Sequence, residues 1–303
     1  MNHVIVSAGE ARIKSEFPLF VNAVLRHHRN LDFVRPFSID FTFSSSGVFP
    51  FDPQLDGKEL GFGPRLEEAE VRFADAALPE ILCKLPDSLY ILEKLKVSQL
   101  GRFRMTATGF VSLPSLKTLL ISDCTTNIET LRRLLSGRPV LKDLTLCFCS
   151  LEEDDDDEEK EIVVSSPSLR DLHIEMNPDD TESLCRSIIV IEAPELRNLY
   201  LADFTSLQFR LLTPFRDVAS AKIFTTRFTV GSHQALIGLI IELSNVHEVR
   251  LIGKTAEYLR SGGEDVWMPA FPKLHKVNCP RSHLSWIVHF FMRKAGNLKY
   301  FEV

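Results

Sequence analysis

A short phrase repeated along nearly the whole chain limits its fold more than any other feature of the sequence. The phrase is apolar, two variable residues, apolar, one variable residue, apolar. Its first positions are Leu66, Leu92, Leu116, Leu141, Leu169, Leu196, Val218, Val246, Leu274 and Leu298. The copy at Leu116 continues with Leu119 and Ile121, that at Leu196 with Leu199 and Leu201, and that at Leu274 with Val277 and Cys279. Val218, Ala221 and Ile223 form a degraded copy, and Val34, Phe37 and Ile39 a weaker eleventh. Successive first positions of the ten are 26, 24, 25, 28, 27, 22, 28, 28 and 24 residues apart. One such match is cheap in a chain that is 45% hydrophobic, but ten at near-constant pitch need a common structural cause.

The last two apolar positions of a copy are two residues apart, so they point to one side of a short strand. The first lies where the chain enters that strand and packs under the same core. A copy can bury only one face, against its neighbours, so single copies are unstable and stacking supplies the core. The pitch falls in the range of roughly 20–29 residues that defines leucine-rich repeats. Some intervening segments have helical spacing: Ile128, Leu131, Leu134 and Leu135, stopped by Gly137 and Pro139; Ala235, Leu236, Leu239, Ile240 and Leu243; and Trp286, Ile287, Phe290 and Phe291. The expected fold is therefore α/β, a leucine-rich-repeat solenoid with a curved parallel sheet and helices on the convex side.

A solenoid needs covered ends. Residues 1–33 are expected to form a helical N-terminal cap, with Phe17, Phe20, Val21, Val24 and Leu25 on one face, leaving residues 34–303 as the solenoid. Residues 152–161 read EEDDDDEEKE, nine acids in ten, and are expected to be a solvated loop inserted between two strands. They lack the spaced ligands and the glycine of a calcium loop. Residues 253–269, which include Ser261-Gly262-Gly263, read as a flexible turn.

A net charge of -6 argues against a general nucleic-acid binder, which needs a basic face for phosphates. The longest apolar run, residues 235–241, is far shorter than a membrane span, and residues 4–8 are too short for the apolar core of a signal peptide. The expectation is a cytoplasmic or nuclear protein, with no nucleic-acid or membrane partner, whose six cysteines are reduced and mostly buried.

Catalytic patterns are all incomplete. Gly61-Phe62-Gly63 begins like a dinucleotide fingerprint, but Leu66 stands where its third glycine belongs. His247-Glu248 opens like a zinc-protease helix, but Leu251 occupies the second histidine's place. Cys147 and Cys149 have no second pair at metal spacing. The chain contains no phosphate-binding loop and no nucleophile elbow. The sequence therefore points to no enzyme, no catalytic residue, no metal and no cofactor.

The wording of the repeats resembles a family. Residues 113–119 read LPSLKTL and residues 134–144 read LLSGRPVLKDL. This resembles the plant F-box/leucine-rich-repeat proteins of the FBD-containing type. SPSLRDL at 166–172, APELRNL at 193–199 and FVNAVL at 20–25 are similar to further phrases of that family, and 284–303 weakly to its FBD region. The resemblance implies a protein-recognition module like the substrate-binding part of a ubiquitin-ligase adaptor. That family opens with an F-box that docks on a Skp-type adaptor. No such segment is legible in these 303 residues, so a Skp-type partner is expected only if the gene encodes an F-box upstream.

The variable residues flanking the last two apolar positions project from the open face of the sheet. In the central copies they include Asp143, Asp171, His173, Glu175 and Tyr200. At strand spacing these form an acidic strip with an aromatic edge, suited to a basic peptide or protein surface. A stand-alone scaffold that never couples to ubiquitin transfer, and a small-molecule sensor with a closed pocket, remain alternatives. The sequence names no partner.

Overall fold

The computed structural model describes residues 37–41, 68–73, 83–84, 93, 95–101, 103–105, 110–136, 138–151, 160–176, 187–203, 208–212, 215, 217–226, 232–261 and 269–302. The chain divides into two compact units, residues 1–141 with 148–152, and residues 142–147 with 153–303.

In the first unit β1 (Phe37–Phe41), β2 (Glu68–Phe73), β4 (Val97–Gly101) and β6 (Thr118–Ser122) pair in that order, all parallel. The weak eleventh copy is a strand of this ladder, with Phe37 opposite Ala69 and Ile39 opposite Val71. A second parallel ribbon runs through β3 (Cys83–Lys84), β5 (Phe103–Met105) and β7 (Thr125–Thr126) to the last residues of β8 (Asp143–Leu151). In the second unit β8 leads to β10 (Asp171–Met176), then β12 (Asn198–Ala202), β14 (Ser220–Thr225), β15 (Glu248–Gly253), β16 (Lys276–Asn278) and β17 (Tyr300–Glu302). From β10 onward the register is even: Leu172, Leu199, Ala221, Val249, Val277 and Phe301 stand opposite one another in turn. The shared ladder pattern is the leucine-rich-repeat fold expected from the pitch.

The phrase folds this way because each of its positions has one task. The first apolar residues, among them Leu116, Leu169, Leu196, Val218, Val246 and Leu274, are at most 1% exposed. Most follow a tight turn in which the residue's own N–H bonds the carbonyl three residues back, as in Leu116 to Leu113, Leu141 to Arg138, Leu169 to Ser166, Leu196 to Ala193 and Leu274 to Phe271. Pro114, Pro139, Pro167, Pro194 and Pro272 are the second residues of these turns, where the fixed φ of proline suits the turn and no N–H is needed. The turn's first residue is itself buried, from Leu113 at 3% to Phe271 at 1%. That fourth core position lies outside the three-residue phrase.

Between repeats the ladder begins with one shared carbonyl. Lys142 O accepts from the N–H groups of Arg170 and Asp171, Arg170 O from Arg197 and Asn198, Arg197 O from Ala219 and Ser220, and His275 O from Lys299 and Tyr300. The strand ends also recur. Asp123, Asp203 and Gly253 each stand two residues after the last phrase position of their copy and have positive φ of 52°, 48° and 63°. Asp203 is 8% exposed, and its carboxylate accepts from the Thr226 N–H (2.6 Å) and hydroxyl (2.7 Å). A Cβ at Gly253 would collide with the Thr225 carbonyl, so close approach and backbone conformation both call for glycine there.

The return segments are helical where the spacing indicates it and include strands elsewhere. Helix α1 (Ile128–Leu135) forms where the spacing places it, capped by the Asn127 side chain accepting from Thr130 N–H at 2.8 Å. Its C-terminal carbonyls are met by the Ser136 N–H, which donates to Arg132 O at 2.8 Å, and by a buried side chain. Arg138, 4% exposed, donates to Leu134 O (2.9 Å) and Arg133 O (3.3 Å), and burial lowers its pKa. Helices α2 (Ser232–Glu242) and α4 (Leu284–Met292) also match their spacing. After β8, β10 and β12, however, the chain returns through a three-stranded parallel sheet of β9 (Lys160–Ser165), β11 (Ser187–Glu192) and β13 (Gln208–Leu211). β-Branched residues explain this. Ile189, Val190 and Ile191 are all at most 3% exposed, so the central strand is covered on both faces, a setting where Ile and Val outcompete helix formers.

Two expectations are corrected. Lys160 and Glu161, counted with the acidic run, are strand residues, and Glu161 pairs with Arg210 across this sheet; residues 152–159 lie outside the described residues. Residues 255–261, read as part of a turn, form helix α3 (Thr255–Ser261). It buries Ala256, Tyr258 and Leu259 at 0–2% exposure, and the Thr255 hydroxyl bonds Ile252 O at 2.6 Å. Two turns are too short for a visible period, which is why the sequence hid it. The cap expected over residues 1–33 lies outside the described residues. Cys124, Cys149 and Cys279 are buried thiols. Cys124 and Cys149 occupy the Asn/Cys position three residues after the third phrase residue, and Cys149 Sγ faces Ile121 O at 3.8 Å. Among the described residues, no helix is long and apolar enough to cross a membrane.

Two outcomes follow from this packing. Leu199, 2% exposed in the middle of its column, cannot be replaced by a neighbour; Leu199→Ala is expected to cost about 2–5 kcal/mol, read from the urea midpoint by circular dichroism. Asp217 accepts from His247 (2.7 Å) and Lys273 (2.8 Å), linking three copies, and these partners lower its pKa from 3.8 to about 2. Its contribution is present above pH 3.8 and is lost as pH falls toward 2. Because the site is fully exposed, 1 M salt should remove most of the difference between wild type and Asp217→Asn in melts above pH 3.8.

Candidate functional site

Strand alternation turns every second residue of the second unit's ladder away from the core. Cys147 on β8, His173 and Glu175 on β10, Tyr200 on β12 and Lys222 on β14 are half-buried members of that open face. Their backbones are set by register: His173 lies opposite Tyr200, and Tyr200 opposite Lys222. None of them is needed by the hydrophobic column behind the sheet.

They form one contiguous cluster. The His173 Nε2 lies 3.4 Å from Glu175 Oε2 and 3.7 Å from Cys147 Sγ. The Tyr200 ring meets the imidazole edge-on with centroids 4.1 Å apart, an arrangement aromatic quadrupoles favour. Lys222 Nζ sits 4.3 Å from the centre of the tyrosine ring in a cation–π contact. Burial lowers the His173 pKa below 6.5 and outweighs the opposing pull of the Glu175 carboxylate, while Lys222 adds to the lowering. Burial, then Glu175, raises the Tyr200 phenol above 10. At neutral pH the cluster thus presents an uncharged imidazole and phenol between a carboxylate and an ammonium.

Of the five residues singled out from the sequence, His173, Glu175 and Tyr200 meet in this cluster. Asp171 belongs to the next row, where Asn198 Nδ2 donates to its Oδ1 at 2.6 Å. Asp143 is the first residue of β8 and half-buried on the same face. Acidic character does not continue unmixed along the ladder, because from β14 cations alternate with the acids. Arg250 pairs with Glu248 at 2.6 Å, and Lys276 reaches Glu248 at 3.6 Å and Glu302 at 2.7 Å. The cluster also contains Cys147 and Lys222, which were not among those five. The repeat pitch does not mark the cysteine's contact: Leu141 and Leu169 are 28 residues apart but Cys147 and His173 only 26, so the two occupy different positions of their copies.

Comparison with known proteins gives the surroundings of this face. Residues 66–213 match the family model described as FBD-associated F-box protein At5g56370, LRR repeats. F-box/LRR-repeat protein 13 of Arabidopsis thaliana is 34% identical over 230 residues, covering 71% of this chain and 49% of that one. The F-box/FBD/LRR-repeat protein At5g22660 of the same plant is 32% identical over 152 residues, 48% of this chain and 32% of that one. A further F-box/FBD/LRR-repeat protein of that plant, At2g05300, is 26% identical over 222 residues, 71% of this chain and 49% of that one. The chain thus spans about half the length of the curated relatives it matches. No solved structure matches.

The electrostatics of the cluster are directly measurable. In chelator-treated protein, the His173 ring should titrate below 6.5 by NMR. Glu175→Gln should lower that value further and Lys222→Gln raise it, since the carboxylate favours and the ammonium disfavours the imidazolium.

Proposed function

Because residues 66–213 belong to the leucine-rich-repeat family of FBD-associated F-box proteins, we propose that this chain is the substrate-recognising part of a ubiquitin-ligase adaptor. The chain itself does no chemistry; it holds a protein partner on the open face of its second-unit ladder. The observation that carries this reading is the cluster built by Cys147, His173, Glu175, Tyr200 and Lys222. Its side chains come from four successive ladder strands, pack on one another outside the core, and include an aromatic anchor flanked by both signs of charge. Interaction hot spots have this composition, with buried aromatics at the centre and charged groups around them.

The acidic side of the face, Asp143, Asp171 and Glu175, fits a basic segment of the partner. Tyr200 would supply rigid contact area, and Lys222 would bound the basic segment by repulsion. The relatives carry F-box names, and an F-box elsewhere in the gene product would couple such recognition to ubiquitin transfer through a Skp-type adaptor. A scaffold without that coupling would use the same face.

A capture experiment with the full chain tests the reading in two steps. Asp171→Lys with Glu175→Lys should release partners that remain bound by Glu257→Lys, an exposed charge reversal on α3. Partner levels should then rise in plants lacking the gene and stop responding to proteasome inhibition. Retention of every partner by the double variant contradicts docking on this face. Loss of binding with unchanged partner levels contradicts the ubiquitin coupling and favours the scaffold.

A further inference from the structure

Cys147, His173 and Glu175 offer a thiol, an imidazole and a carboxylate whose ligand atoms all lie within 4.8 Å of one another. We propose that these three residues form a zinc site on the open face of the ladder, independent of whether that face also receives a substrate of a ubiquitin ligase.

Geometry is the first argument. Zinc holds sulfur at about 2.3 Å and nitrogen or oxygen at about 2.0–2.1 Å in a tetrahedral arrangement. Those lengths put a coordinated sulfur and nitrogen about 3.5 Å apart, and a nitrogen and oxygen about 3.3 Å apart. The corresponding separations here are 3.7 Å for Cys147 Sγ to His173 Nε2 and 3.4 Å for His173 Nε2 to Glu175 Oε2. The third pair, Cys147 Sγ and the Glu175 carboxylate, lies within 4.8 Å and must close toward about 3.5 Å, which side-chain rotation on the open face allows. The same imidazole nitrogen faces both other donors, as a metal at their common centre requires.

Donor chemistry is the second argument. A thiolate with an imidazole selects a borderline-soft ion, which excludes calcium and magnesium and suits zinc. Three protein donors leave one tetrahedral position for water or a donor from a bound molecule, unlike the closed four-residue sets of purely structural sites. Access is the third argument. The His173 and Glu175 side chains are 34% and 19% exposed, so an ion can enter without unfolding the ladder. The surroundings also favour order, since the Tyr200 edge contact fixes the ring plane of His173. The usual sequence signature is missing because the donors arrive from two strands one repeat apart.

Titration of the reduced, chelator-stripped full chain with Co²⁺ alone tests the site. One equivalent should produce a thiolate-to-cobalt charge-transfer band in the near ultraviolet, with d–d bands of four-coordinate intensity. One equivalent of Zn²⁺ should displace both. Cys147→Ser should abolish the charge-transfer band, and His173→Gln and Glu175→Gln should each weaken cobalt binding by at least about tenfold. All three positions are on the open face, and a far-ultraviolet melt identical to wild type certifies each variant. If Cys147→Ser fails that check, Glu175→Gln alone decides. Absence of the band from the wild-type chain, its persistence in folded Cys147→Ser, or unchanged affinity in Glu175→Gln overturns the proposal. Persistence of the band in folded Cys147→Ser would mean that another cysteine holds the ion, and unchanged affinity in Glu175→Gln that its carboxylate is not a ligand.

Discussion

Burial of one apolar face by the next copy of the same phrase is the constraint on which the rest depends. A single strand with three or four apolar residues has no core of its own. Stacked, it contributes columns such as Leu169, Leu196, Val218, Val246 and Leu274, each at most 1% exposed. The backbone is fixed at the same moment. One carbonyl per copy, such as Arg170 O or Arg197 O, receives two N–H groups from the next strand and sets its register. A one-residue slip would turn every column to solvent, so register is specified strongly. Everything on the open face inherits its position from that specification.

Strand positions were legible in the sequence because the phrase is strictly spaced and its outcome is local. Even the degraded copy at Val218, Ala221 and Ile223 sits in register, since small or β-branched residues still fill a narrow column. Return segments were legible only where a helix was long enough to show its period, as at Ile128–Leu135 and Leu284–Met292. Helix Thr255–Ser261 was not, and neither was the three-stranded sheet, because a run such as IIVI has no period to separate a covered strand from a buried helix. The turn residues hid for a different reason. Leu113, Arg138, Ser166 and Phe271 share a buried position but no chemistry, so no residue type marks it.

The open face was legible in part. Alternation shows which side chains leave the core, and His173, Glu175 and Tyr200 do converge. What alternation cannot show is which rows touch. Contact between Cys147 and His173 joins different positions of neighbouring copies, and the mixing of Lys222, Arg250 and Lys276 with acids depends on the order of strands. An electrostatic strip inferred from a few copies is therefore shorter in space than on paper. The same shortening gives the face its character, with an aromatic centre between two signs of charge rather than a uniform acidic field. Such a surface discriminates between partners better than it attracts them.

Recognition by this face is the central claim, and hydrogen exchange of the full chain with and without a captured partner tests it most directly. The account predicts added protection in the segments that carry the cluster, residues 171–176 and 198–202, with residues 187–192 and 208–212 of the second sheet unchanged. Added protection confined to that second sheet, with the cluster strands unaffected, would contradict it.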